Sequence, residues 1–240
     1  MKRYLFALTL AVPMAGSAQQ TQPMERTVTV NANATVEREP EQAVILLAVE
    51  SPAATAQLAA RTNATKMDAL VAALRRLGIS GPNVRTVSYQ LQPQYSNERP
   101  QPTERQGPPR IVGYRAINMV QVTVDTVTRT GAVIDAAIAA GANRVAGLSF
   151  ELKDPQLARN DALRLAVTRA RGEAQAMAEA AGQRLGEPLT ISTGGYAVPR
   201  YARAMDMVSM EAAQAAPTPI EPGTLSVQAN VTIVYKLENR

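Results

Sequence analysis

The sequence predicts an α+β fold: antiparallel-rich β-sheets with two long helices and one short helix packed on them. Three observations carry this expectation. Residues 28–36 and 225–235 alternate apolar and polar side chains with period two, the signature of half-buried strands. Residues 52–77 and 155–185 instead repeat their apolar side chains at helical spacing. Short Val- and Ile-rich runs bounded by Gly, Pro and polar residues fill the intervals.

Taken in order, Val28, Val30, Ala32, Ala34 and Val36 form one face of the first strand, against Thr27, Thr29, Asn31, Asn33 and Thr35. After a turn at Glu39-Pro40, 43–50 reads as a second strand with a more continuous apolar run. Pro52 is expected to open a helix whose inner face carries Met67, Leu70, Val71, Leu74 and Leu77, with Gly78 as its stop. A strand at 84–92 places Val87, Tyr89 and Leu91 on one face. Residues 96–110 are polar and Pro-rich without periodicity, and read as a loop. A long strand follows at 111–124, Val120, Val122 and Val124 alternating with Gln121 and Thr123.

A short helix then carries Val133, Ile134, Ala137 and Ile138 and stops at Gly141, before a strand at 145–152. Asp154-Pro155 is a good N-cap and first-turn pair for the longest helix. Its expected inner face is Leu163, Ala166, Val167, Ala170, Ala174, Met177, Ala178 and Ala181, with Arg159, Arg169, Glu173 and Glu179 in solvent. Gly172 inside it costs about 1 kcal/mol relative to Ala, and nothing in the sequence accounts for it. A strand at 189–196, a long excursion at 198–222 and the final strand complete the chain.

The elements suggest an internal β-α-β-loop-β duplication, with pseudo-repeats at 41–126 and 143–237. Both long helices run through a Gly into a strand, and those strands end at Pro93-Gln94-Tyr95 and Pro199-Arg200-Tyr201. Residue identity between the halves is slight, so duplication and the coincidence of α+β grammar both stay open.

The N-terminus has the order of a secretory signal peptide, expected at 1–18. Lys2 and Arg3 precede an apolar run, and Gly16-Ser17-Ala18 supplies small residues for cleavage. The run is well short of the roughly 20 residues a membrane span needs, and no transmembrane segment is expected in the mature chain, 19–240. The N-terminal pattern predicts export of the mature chain to an oxidising compartment. The formal net charge is +5, of which Lys2 and Arg3 contribute two units. No basic block or Arg–aromatic interleaving appears, which argues against nucleic-acid binding. A mild attraction to anionic envelope surfaces remains compatible.

The chain contains no His and no Cys. That removes imidazole acid–base chemistry, the Ser-His-Asp and Cys-His arrangements, and the ordinary zinc, haem and iron–sulfur ligands. Hydrophobic residues make up 46% but aromatics only 4%, so the core must be aliphatic and Ala-rich, without disulfides. Glu37, Glu39 and Glu41 are the nearest approach to a carboxylate set, and they read as a solvated turn. Gly194-Gly195-Tyr196 and the pair Gly78 and Gly81 lack phosphate-loop context. Asn33, Asn63 and Asn230 each begin an Asn-x-Thr triplet, but in strand and helix settings that suit glycosylation poorly. Met205, Met207 and Met210 are soft thioethers suited to Cu(I), or apolar filling for an irregular contact. No His or Cys backs them, which favours filling. No catalytic, cofactor-binding or metal residue is assigned, and no cofactor is expected. The default is a binding or assembly protein rather than an enzyme.

Several residues together resemble the SIMPL-domain family of exported bacterial proteins. They are Gly113-Tyr114-x-Ala116-x-Asn118, Gly141-Ala142-Asn143-x-Val145-x-Gly147-x-x-Phe150, the spaced Ala166, Ala170, Ala174 and Ala178 ending at Gly182, and Pro222-Gly223. The similarity spans the mature chain. Asn31 and Asn33 stand where the family tends to carry glycines, and Glu41 where Asp usually follows the Pro. The resemblance implies an α+β domain of poorly defined function exported to the periplasm, with association to the outer membrane left open, prone to homo-oligomer formation and linked to stress tolerance. It brings no catalytic residues.

Overall fold

The computed structural model describes residues 25–96, 110–194, 200–201 and 218–239. The expected signal peptide, most of the 96–110 loop and the methionine run lie outside these residues. The elements are β1 (Thr27–Arg38), β2 (Gln42–Ala53), α1 (Ala56–Arg76), β3 (Val84–Tyr95), β4 (Ile111–Val124), α2 (Thr130–Ala139), β5 (Arg144–Glu151), α3 (Pro155–Ala180), β6 (Gln183–Thr193), β7 (Arg200–Tyr201) and β8 (Leu225–Asn239). They form two antiparallel sheets and three helices, which is the α+β class expected.

One sheet has the order β3-β4-β2-β5 and the other β1-β8-β6, with β7 also pairing to β8. Beneath α1 and α2, the first sheet buries Ile45, Leu47, Val49, Val120 and Val122 against Leu70, Leu74, Val133 and Ile134. Beneath α3, the second sheet buries Val28, Val30, Val231, Ile233 and Tyr235 against Ala166, Ala170 and Ala174. A small cluster of Leu152, Ala158, Leu225 and Val227 completes the interior. Strand 145–152 enters the first sheet, beside β2, whereas β6 and β8 belong to the second.

Four expectations need correction. Helix 52–77 starts at Ala56, because Thr55 is the N-cap and its side chain accepts from Leu58 N–H. Pro52 instead continues β2, opposite Arg115, at a strand end where a missing N–H costs little. Helix 155–185 ends at Ala180: Gly182 adopts φ +70°, a conformation that stops a helix. The chain reverses there, so β6 begins at Gln183, opposite Asn239, and ends at Thr193. On α3, Met177 is 52% exposed and Ala181 faces solvent. The buried line is Ala158, Ala162, Ala166, Ala170, Ala174 and Ala178, strictly every fourth residue. Finally, Val87, Tyr89 and Leu91 do not share the face of one regular strand, because a bulge between Thr86 and Ser88 interrupts the alternation at Val87.

Candidate functional site

The motif residues around the end of β2 serve the fold. Gly141, at φ +116°, ends α2 and turns the chain so that Ala142 enters the core. Asn143 then acts as a substitute peptide beside β2. Its backbone N–H donates to Ala48 O at 3.1 Å, its Nδ2 donates to Glu50 O and its Oδ1 accepts from Glu50 N–H, both at 2.8 Å. The Glu50 carboxylate pairs with Arg144 at 2.9 Å and Arg115 at 3.7 Å. From α1, Asn63 Nδ2 donates to Val49 O at 2.7 Å and Ala116 O at 3.2 Å. The amide nitrogen of the Asn63 triplet is thus buried and engaged, while Asn33 and Asn230 face each other across β1 and β8.

Glu39 and Glu41 meet two carboxylates that sequence spacing did not suggest. Together with Asp125 and Glu221 they line a cleft of about 520 Å³, also bounded by Pro40, Pro222 and Thr224. Glu37 lies in β1 instead. Two of the cleft carboxylates hold Lys153. Glu41 Oε2 accepts from its backbone N–H at 2.8 Å, and Asp125 pairs with its ammonium at 3.3 Å. Among the described residues, no group of three or more His, Cys, Asp or Glu is arranged to hold a metal ion. The arrangement fastens the β1–β2 turn to the entry of α3. Gly194 closes β6 against Asn230, a packing position rather than a phosphate loop.

The candidate interaction surface is the β3 edge. Among the described residues β3 pairs only with β4, so its other side presents unpaired backbone groups. The bulge at Val87 shifts the alternation, and Tyr89 and Leu91 come to share the helix-side face with Asn118 and Ala116. α1 does not reach over them: Val87, Tyr89 and Leu91 are 51%, 51% and 40% exposed. Tyr95, Ile111 and Val112 add exposed apolar surface where the hairpin runs past the end of β2. A groove of about 270 Å³ separates α1 from the start of β3, its lining including Met67, Val71, Ile79 and Val84. Period-two reading groups Val87, Tyr89 and Leu91 on one face without saying which way that face turns. Pro93 is the residue in the sequence that marks β3 as an edge, since proline in a strand is tolerated chiefly there.

The same two-layer chain matches a family model over residues 28–235, that of SIMPL, described as a protein of unknown function (DUF541). The chain belongs to the SIMPL family. The 26 kDa periplasmic immunogenic protein of Brucella melitensis is 28% identical over 220 residues, covering 91% of this chain and 86% of that protein. The Brucella abortus protein of the same name matches equally. The Escherichia coli K12 protein called uncharacterized protein YggE is 24% identical over 244 residues, covering 99% of this chain and 95% of its own length. The Brucella relatives are thus named as periplasmic. In this SIMPL chain, the Gly-Ala-Asn block that carries the resemblance is the β2 brace described above. No helix among the described residues is long and apolar enough to cross a membrane.

Proposed function

We propose that this chain is an exported, non-enzymatic envelope protein that assembles with copies of itself and contributes to stress tolerance. The β3 edge is the observation that supports assembly most directly. A strand edge that has no partner among the described residues, carrying exposed Val87, Tyr89, Leu91 and Tyr95, invites pairing and apolar contact at once. Pro93 and the bulges at both ends of β3 confine regular pairing to the stretch 88–92. Closed symmetry would satisfy the edge without open-ended growth. Export is supported by the N-terminal pattern and by the names of the Brucella relatives. Stress tolerance rests on the family resemblance.

Light scattering of the mature chain, 19–240, tests the reading. The unaltered protein should be oligomeric at micromolar concentration, and Tyr89→Lys with Leu91→Lys should shift it toward monomer without loss of helical signal. A monomer for the unaltered chain would overturn assembly, and N-terminal sequencing that found Met1 retained would overturn export. Periplasmic Cu(I) capture by Met205, Met207 and Met210 is the other assignment, supported by their three thioethers; undetectable Cu(I) binding would remove it.

A further inference from the structure

We propose that the first helix–sheet layer holds a single bound water molecule beneath α1, as an integral part of the fold. It accepts a hydrogen bond from Ser51 Oγ and donates to Asn63 Oδ1 and Asn118 Oδ1. Among the described residues these three buried oxygens have no hydrogen-bond partner. Ser51 and Asn63 are 1% and 0% exposed, so bulk solvent does not reach them.

The strand register brings the three together. Val49 faces Asn118 and Ser51 faces Ala116 across β2 and β4, and alternation puts all four side chains on the face beneath α1. Asn63 descends onto this square, because its Nδ2 bonds both Val49 O and Ala116 O. Those bonds use the two amide hydrogens and fix which end of the amide is the oxygen. The Oδ1 is therefore a committed acceptor over the same square, with Ser51 and Asn118 at opposite corners.

The chemistry matches water. Two acceptors and one hydroxyl that can donate are the complement of a molecule with two hydrogens and a lone pair to offer. The neighbouring side chains are small: Ala116 occupies one corner, and Ala59, one turn before Asn63 on α1, is fully buried. A monovalent cation would also find oxygens here, but none of the three carries a formal charge to offset its dehydration.

A high-resolution crystal structure of the unaltered mature protein should show one density peak within hydrogen-bond distance of all three oxygens, unchanged when sodium is replaced by rubidium. Anomalous rubidium signal at that peak would overturn the proposal, as would Ser51 Oγ bonded directly to Asn63 or Asn118 with no peak. In solution, oxygen-17 relaxation dispersion should count one fewer long-lived water in Ser51→Val, whose added methyl occupies the position. An equal count in the two folded proteins would refute it.

Discussion

The two helix–sheet layers obey opposite packing rules. Under α1 and α2 the helices supply bulk: Leu70, Leu74, Val133 and Ile134 meet Ile45, Leu47 and Phe150. Under α3 the helix supplies almost none. Its contact line is Ala at every fourth position, and Val28, Val30, Val231, Ile233 and Tyr235 of the sheet fill the space. Burial of a Leu side chain is worth about 1.5–3 kcal/mol, so the first layer draws its stability from area on both sides. The second relies on a helix backbone lying close to its sheet. The first layer is therefore most vulnerable to deletion and the second to addition.

The largest expected effect is an addition in the second layer. Ala174 is fully buried, and Ala174→Arg would place an unpaired charge where backbones approach closely. A loss of several kcal/mol is expected, read as a fall in the chemical-denaturation midpoint. A neutral result would show that this face of α3 is open to solvent. The complementary deletion is Leu70→Ala in the first layer, where a fully buried side chain is expected to cost about 2–5 kcal/mol. Should Leu70→Ala prove as mild as a surface change, the contrast between the layers would fail.

Both long helices are capped by a side chain at their first turn, which gives a control that ignores packing. Thr55 accepts from Leu58 N–H at 3.3 Å, and Asp154 accepts from Gln156 N–H at 2.9 Å. Replacing either by Ala should cost about 1 kcal/mol, by the same amount in both layers. Thermal melts that separated the two caps widely would show that the layers unfold as separate units.

These differences explain what the sequence made legible. Helix periodicity and strand alternation depend on local burial, so the α+β class, β1, β8 and the stretch of the Ala line from Ala166 to Ala178 could be read directly. Boundaries failed where a long-range partner decided them. Pro52 is in β2 because Arg115 lies opposite, and β6 starts at Gln183 because β8 extends to Asn239. The single face expected for β3 is broken by the bulge at Val87, which strict alternation does not mark. The Glu39–Glu41–Asp125–Glu221 cleft joins residues from three distant segments, and nothing in their spacing announces it. Nor could spacing show that Asn143 imitates a peptide, although the sequence did mark its block as distinctive.

The smallest effect concerns a glycine that neither layer requires. Gly172 sits in the interior of α3 on its exposed side, and a Cβ added there meets no atom of the described residues within 4 Å. The contrast is Gly131 in α2, where a Cβ would collide with the carbonyl of Thr218. Thr218 is held there by Asp135, which accepts from its N–H at 3.1 Å and its hydroxyl at 2.7 Å. Gly131 therefore has a packing reason, and among the described residues Gly172 has none. Gly172→Ala removes freedom from the unfolded state and improves helix propensity at no steric cost, so it should stabilise by about 0.4–1 kcal/mol. Calorimetry should report a rise in Tm of roughly 1–4 °C. A fall would mean that the exposed side of α3 needs its missing side chain, and that addition is harmful on both faces of this helix rather than on the Ala line alone.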